Sequence, residues 1–137
     1  MKKLFAIICL ALCFYVYGFG QSVPRLDKDS IYVAVEKMPE FPGGQQALFK
    51  YLSENLKWPA GEWHGIDRCR VVARCIVEKD GALTNIEIYE SCGIEDFEKE
   101  SLRVLRTMPN WIPGEQEGKK VRVRYIVPIN FKLAQEY

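Results

Sequence analysis

Histidine is almost absent from this sequence, with one, His64, in 137 residues. A hydrolase or transferase needs a nucleophile, a base and an orienting group, and there is little here to build them from. His64 stands beside Trp63 in the loop-like stretch Ala60–Asp67, where a lone histidine reads as surface. Metal-ligand spacing is missing too. No CxxC or CxxH pattern occurs, and one histidine cannot complete a convincing zinc set. Gly43-Gly44 precedes a helical pattern, but no Lys-Ser follows as in a phosphate-binding loop, so the pair reads as a turn into a helix. There is no excess of positive charge, with 19 basic residues against 18 acidic, which excludes an electrostatic nucleic-acid binder. After Gly20 no apolar run is long enough to span a bilayer. Enzyme chemistry, a cofactor, a metal and a small-molecule substrate are therefore not expected.

The first twenty residues have a different character. Lys2 and Lys3 give a positive start, Leu4 to Val16 is nearly all apolar, and Gly18-Phe19-Gly20 supplies small residues where a signal peptidase reads. This is the layout of a cleavable secretory signal peptide over residues 1–20. Its loss removes two lysines and no acids, so the mature balance is 17 basic to 18 acidic. A retained inner-membrane anchor is the alternative, at the short end of the length that spans a bilayer. Leu10-Ala11-Leu12-Cys13 is a poor lipoprotein site because Leu12 is not small.

Residues 21–30 read as a short linker and 31–137 as one domain. Ile31 to Val35 is a short extended segment, and MPEFPGG (Met38–Gly44) excludes regular structure. Gln45 to Leu56 has apolar residues at helical spacing and is stopped by Trp58-Pro59. Cys69–Glu78 and Leu83–Glu90 alternate as strands around an Asp80-Gly81 turn. Ile94 to Thr107 is a second helix, with acids at its start and Arg103 and Arg106 at its end, as the helix dipole favours. A turn-rich connection, Met108–Lys120, then leads into the last strand. The order α-β-β-α-β predicts an α+β fold, a two-layer sandwich of two helices on a three-stranded antiparallel sheet. Trp58, Trp63 and Trp111 read as closing the core, with a ligand platform as the alternative.

Three cysteines remain after Gly20: Cys69, Cys75 and Cys92. Export permits a disulfide. A two-residue turn at Asp80-Gly81 sets Val77 opposite Thr84, Cys75 opposite Ile86 and, at the open end, Cys69 opposite Cys92. Facing residues lie about 4.5–5.5 Å apart, within disulfide range. A Cys69–Cys92 bridge is expected, with Cys75 left as a buried thiol; a bulge would shift the register.

The final strand, VRVRYIVPINF (Val121–Phe131), carries the main puzzle. Its odd positions are apolar, yet Pro128 sits inside it. Proline has no N–H for a neighbour and is confined to sheet edges, strand ends or bulges. An open edge invites an extended peptide to pair with it.

Taken together, VEKMPEFPGG, ALFKYLSENLKWP, RVVARCIVEKDGALTNIEIYES and SLRVLRTMPNWIPGEQEGKKVRVRYIVPINF resemble the TonB C-terminal domain, in the version of short Bacteroidetes-type TonB-like proteins. The resemblance covers about residues 33–133. It implies docking of a short extended segment of an outer-membrane TonB-dependent transporter on the last strand. The matching residues are Val121, Arg122, Val123, Arg124, Tyr125, Ile126 and Val127. Arg122 and Arg124 would steer acidic partner residues, or keep the edge from aggregating. The same edge can pair two copies as a homodimer. Against a complete TonB, residues 1–20 lack the Ser and His of its anchor helix, and the ten-residue linker extends at most about 36 Å. A periplasmic binding module is therefore expected, with a minimal anchored energy transducer or an envelope adaptor using the Trp63–His64 loop as alternatives.

Overall fold

The computed structural model describes residues 29–132. The segment read as a signal peptide, most of the linker and residues 133–137 lie outside the described residues. The elements are β1 (Ile31–Tyr32), α1 (Gln45–Asn55), β2 (Arg68–Val77), β3 (Leu83–Glu90), α2 (Glu95–Arg106), β4 (Gly114–Gln116) and β5 (Lys119–Lys132). The class is α+β, as the alternation of patterns predicts. The sheet, however, has five strands rather than three and is mixed rather than antiparallel: its order is β1-β5-β2-β3, with β4 also on β5. The two strands absent from the expected set are two and three residues long, too short to carry a period of two. β4 and β5 are joined by Glu117-Gly118, both at positive φ (52° and 73°), the backbone that a two-residue hairpin requires.

The core lies between the sheet and the two helices. Cys69, Val71, Ala73, Cys75 and Val77 of β2 face it, with Val127, Ile129 and Phe131 of β5. Leu48 and Leu52 come from α1, and Phe97, Val104 and Leu105 from α2. Phe97 is fully buried, with Trp58, Trp63 and Phe131 packed around it at ring separations of 5.0, 5.5 and 4.9 Å. Trp111 instead packs on Phe41 and Tyr125. The tryptophans thus close two ends of one core. The helices are tied directly: Tyr51 Oη donates to the Thr107 carbonyl at 3.1 Å, and Arg103 Nη2 to the Asn55 carbonyl at 2.9 Å.

The β2–β3 hairpin departs from the expected register at both ends. Its loop has three residues, Lys79–Gly81, closed by Glu78 N–H on the Ala82 carbonyl at 2.9 Å. Val77 therefore faces Leu83, not Thr84. A bulge at Asn85, itself at φ 48°, restores the expected pairing, so Arg74 faces Glu87 and Ala73 faces Ile88. A second shift follows, and Val72 faces Glu90. The predicted disulfide is present: Cys69 and Cys92 are bonded, with Cα atoms 5.6 Å apart.

Gly81 holds the hairpin against the β4 connection. Its φ is +87°, its carbonyl accepts the Trp111 N–H at 2.8 Å, and a Cβ there would lie 1.9 Å from the Trp111 carbonyl oxygen. A left-handed alanine costs about 1–2 kcal/mol, and displacing Trp111 loses a hydrogen bond worth about 1 kcal/mol. Gly81→Ala is expected to lower stability by about 3 kcal/mol in urea unfolding.

Candidate functional site: the β5 edge

β5 is held on one side by β2 over ten residue pairs, from Val77–Val123 to Arg68–Lys132, with no shift in register. The other side carries β1 near its start, and β4 pairs with the strand ahead of the β2 ladder. β1 lies parallel to it, with Ile31 opposite Arg122 and Tyr32 opposite Val123. β4 pairs with Lys119 to Val121. From Arg124 to Lys132 no second strand pairs with β5 among the described residues. Pro128 lies in this part, opposite Val72 of β2. The ladder passes through it unbroken, so its missing N–H is on the side without a neighbour, the placement that proline in a strand requires.

The sheet's other edge is β3, and it differs in kind. Two shifts of register interrupt it, and a bulged edge twists away from any straight template. Glu87, Tyr89 and Glu90 lie exposed along it. Arg74 crosses toward them, its Nε 2.7 Å from Glu87 Oε1 and its guanidinium 5.4 Å from the Tyr89 ring centre.

The expected docking residues divide by what already holds them. Val121 pairs with β4, and Arg122 and Val123 pair with β1. Arg124, Tyr125, Ile126 and Val127 have the open edge beside them. Val127 is fully buried, Tyr125 packs its ring on Trp111 at 5.0 Å, and Ile126 is 51% exposed. Arg124 is exposed and has no acceptor among the described residues. Arg122 is committed elsewhere. Its Nε and Nη2 donate to the two oxygens of Glu78 at 2.7 and 3.0 Å, and Nη1 donates to the Asp29 carbonyl at 3.0 Å. The Arg122–Glu78 contact spans 44 residues, and no local pattern announces it.

The hydrogen bonds from Arg122 hold the Glu78 carboxyl below the usual carboxylate range, helped by the Thr84 hydroxyl and opposed by burial. A carboxyl depressed in the folded state contributes stability above its unfolded value, about 4.3, and that contribution is lost as pH falls through the folded value. Stability is therefore expected to drop between pH 5 and pH 3, and Glu78→Gln to flatten that drop. Urea midpoints at the two pH values check it.

Other candidate chemistry stays apart from this edge. His64 is exposed and, among the described residues, meets Glu62 at 3.2 Å. Burial raises the Cys75 thiol to about 11, which keeps it protonated and inert. No three His, Cys, Asp or Glu side chains gather to hold a metal among the described residues. Gly43 and Gly44, at φ 91° and 87°, lead into α1.

Residues 59–133 match the family described as the Gram-negative bacterial TonB protein C-terminal. The chain belongs to this family. The match spans β2 through β5 and leaves β1 and α1 outside it. A comparison with curated proteins finds no match. TonB C-terminal domains take part in transport energy transduction and receptor interaction, act as interaction modules rather than enzymes, and are periplasmic or membrane-anchored.

Proposed function

We propose that this TonB C-terminal domain is a periplasmic module, exported by the signal peptide of residues 1–20, that docks an extended segment of an outer-membrane TonB-dependent transporter along β5 by strand addition. One observation carries the reading: β5 offers an edge without register shifts from Arg124 to Lys132, whereas the β3 edge is broken by two shifts of register. Backbone groups would supply most of the affinity. β1 already pairs with β5 just ahead of this edge, at Arg122 and Val123, which supports its competence to accept an extended segment. Arg124, exposed beside that edge, favours an acidic residue in the docked segment.

The test is capture from an envelope extract with the chain from Gln21 as bait, read by mass spectrometry. Recovery of outer-membrane transporters that an Ile126→Pro bait fails to retain is the expected result. Equal recovery by both baits, or no transporter at all, would mean that the docking function lies elsewhere. A bait that instead recovers only itself, doubled in mass by light scattering, would assign the edge to self-pairing.

A further inference from the structure

The edge in question is not empty at its start. Ile31 and Tyr32 lie on it, opposite Arg122 and Val123, with the Asp29 carbonyl accepting from Arg122 Nη1 at 3.0 Å. Little else holds them. Ile31 is 38% exposed and Val33, just beyond, is 71% exposed. Apolar burial is what holds a short strand in place, and a pairing of two residues that are only partly covered is marginal.

The chain is fixed much more firmly from Glu36 onward. Glu36 N–H donates to Gln116 Oε1 at 3.0 Å. Lys37 and Glu115 exchange both backbone bonds, at 3.1 and 2.8 Å, and Glu40 and Ile112 do the same at 3.0 and 2.8 Å. Between the loose and the fixed parts the backbone bends at Val33 and Ala34. Residues 29–35 therefore lead, through this bend, into a segment clamped to β4.

We infer that β1 is a displaceable occupant of the docking edge, and that a segment added to β5 competes with Asp29–Tyr32 for the place beside Arg122. This rests on the reading that β5 takes an added strand. Backbone groups of a strand alternate in direction with a period of two. Pro128 leaves its vacant nitrogen on the open side, so Arg122, Arg124 and Ile126 aim their backbone groups there too. An added strand finds no donor at Pro128. Lifting β1 extends the usable run the other way, from Ile126 back through Arg124 to Arg122. It leaves no charge stranded, because Arg122 loses only the Asp29 carbonyl and keeps both bonds to Glu78. β1 runs parallel to β5, so its continuation would lie along Arg124; the bend at Val33 takes the chain off the edge there.

Two measurements test this on the chain from Gln21. Hydrogen exchange should show the amides of Ile31 to Val33 exchanging at least 100-fold faster than those of Val71 to Cys75 in the β2–β5 ladder. Equal protection would make β1 an integral strand and overturn the inference. The second is the same transporter capture with an Ile31→Pro/Tyr32→Pro bait, which should retain at least threefold more transporter than the unmodified bait. Equal or lower retention overturns the competition, and the docking reading survives if Ile126→Pro still loses the transporter. If Ile126→Pro captures as well as the unmodified chain, docking on β5 fails and the competition fails with it. Fast exchange at β1 would then describe only a loose strand.

Discussion

Replacing Ile126 by proline is expected to reduce transporter capture at least tenfold while the domain stays folded. The argument is one of direction. Pro128 already sits in β5 opposite Val72 without interrupting the ladder, so position 128 aims its nitrogen away from β2. Position 126 is two residues earlier and aims the same way. Its N–H is therefore available to an added strand and is not used by β2. Proline there removes a donor from the docking edge and a ring-sized obstacle takes its place, at a cost to stability of about 1 kcal/mol or less, since Ile126 is 51% exposed. Val127→Pro makes the contrast. Val127 is fully buried and faces Ala73 across the ladder, so proline there strips a bond from the sheet interior. It should cost about 3 kcal/mol or more, through an unsatisfied buried acceptor and lost packing. Capture and urea unfolding measured on both variants separate docking from folding. If the exposed position behaved like the buried one, the edge would not be where the period of two places it.

The same period explains what was legible in the sequence. The alternation in Val121–Phe131 and the proline within it disclosed a half-buried strand with an open side, because both signals are local. The helices were legible for the same reason: the acids Glu95, Asp96 and Glu98 and the bases Arg103 and Arg106 mark the two ends of α2. β4 was not, and β1 was legible only as the extended segment Ile31–Val35 without a place in the sheet, since strands of two and three residues have no period to read. Their absence mattered for the site. Three of the seven expected docking residues, Val121, Arg122 and Val123, have a neighbour from one or the other. The hold of Glu78 on Arg122 was hidden by distance along the chain, as was the clamping of Lys37 and Glu40 onto the β4 connection. A contact between remote residues is visible only once the topology brings them together.

Removing the disulfide should cost about as much stability as Val127→Pro, and its geometry shows how a correct pairing can survive an incorrect count. The expected ladder ran from a two-residue turn straight to Cys69 and Cys92. The real one starts one residue out of step at a three-residue loop, regains step at the Asn85 bulge and loses it again before Glu90. Cys92 lies beyond β3, in the turn ahead of α2, where the ladder no longer fixes positions. What brings the sulfurs together is the path of Ser91-Cys92-Gly93, with Gly93 at φ 86° and its N–H on Ser91 Oγ at 2.9 Å. The bridge closes a loop across a separation of 23 residues. On a chain-entropy estimate such a closure is worth about 3 kcal/mol, close to 15 °C in melting temperature for a domain of about this size. Cys69→Ser/Cys92→Ser should show that fall in a thermal melt. Cys75→Ser serves as the comparison, because it buries a hydroxyl without opening a loop and should cost about 1–3 kcal/mol. The bridge is anchored on β2, behind the docking edge, and the one residue of β5 that its Cys69 faces is Phe131. The double-serine variant, held below its melting temperature, should therefore capture transporter as the unmodified chain does. Lost capture with the fold intact would mean that the bridge shapes the edge itself, through the pairing of Cys69 with Phe131.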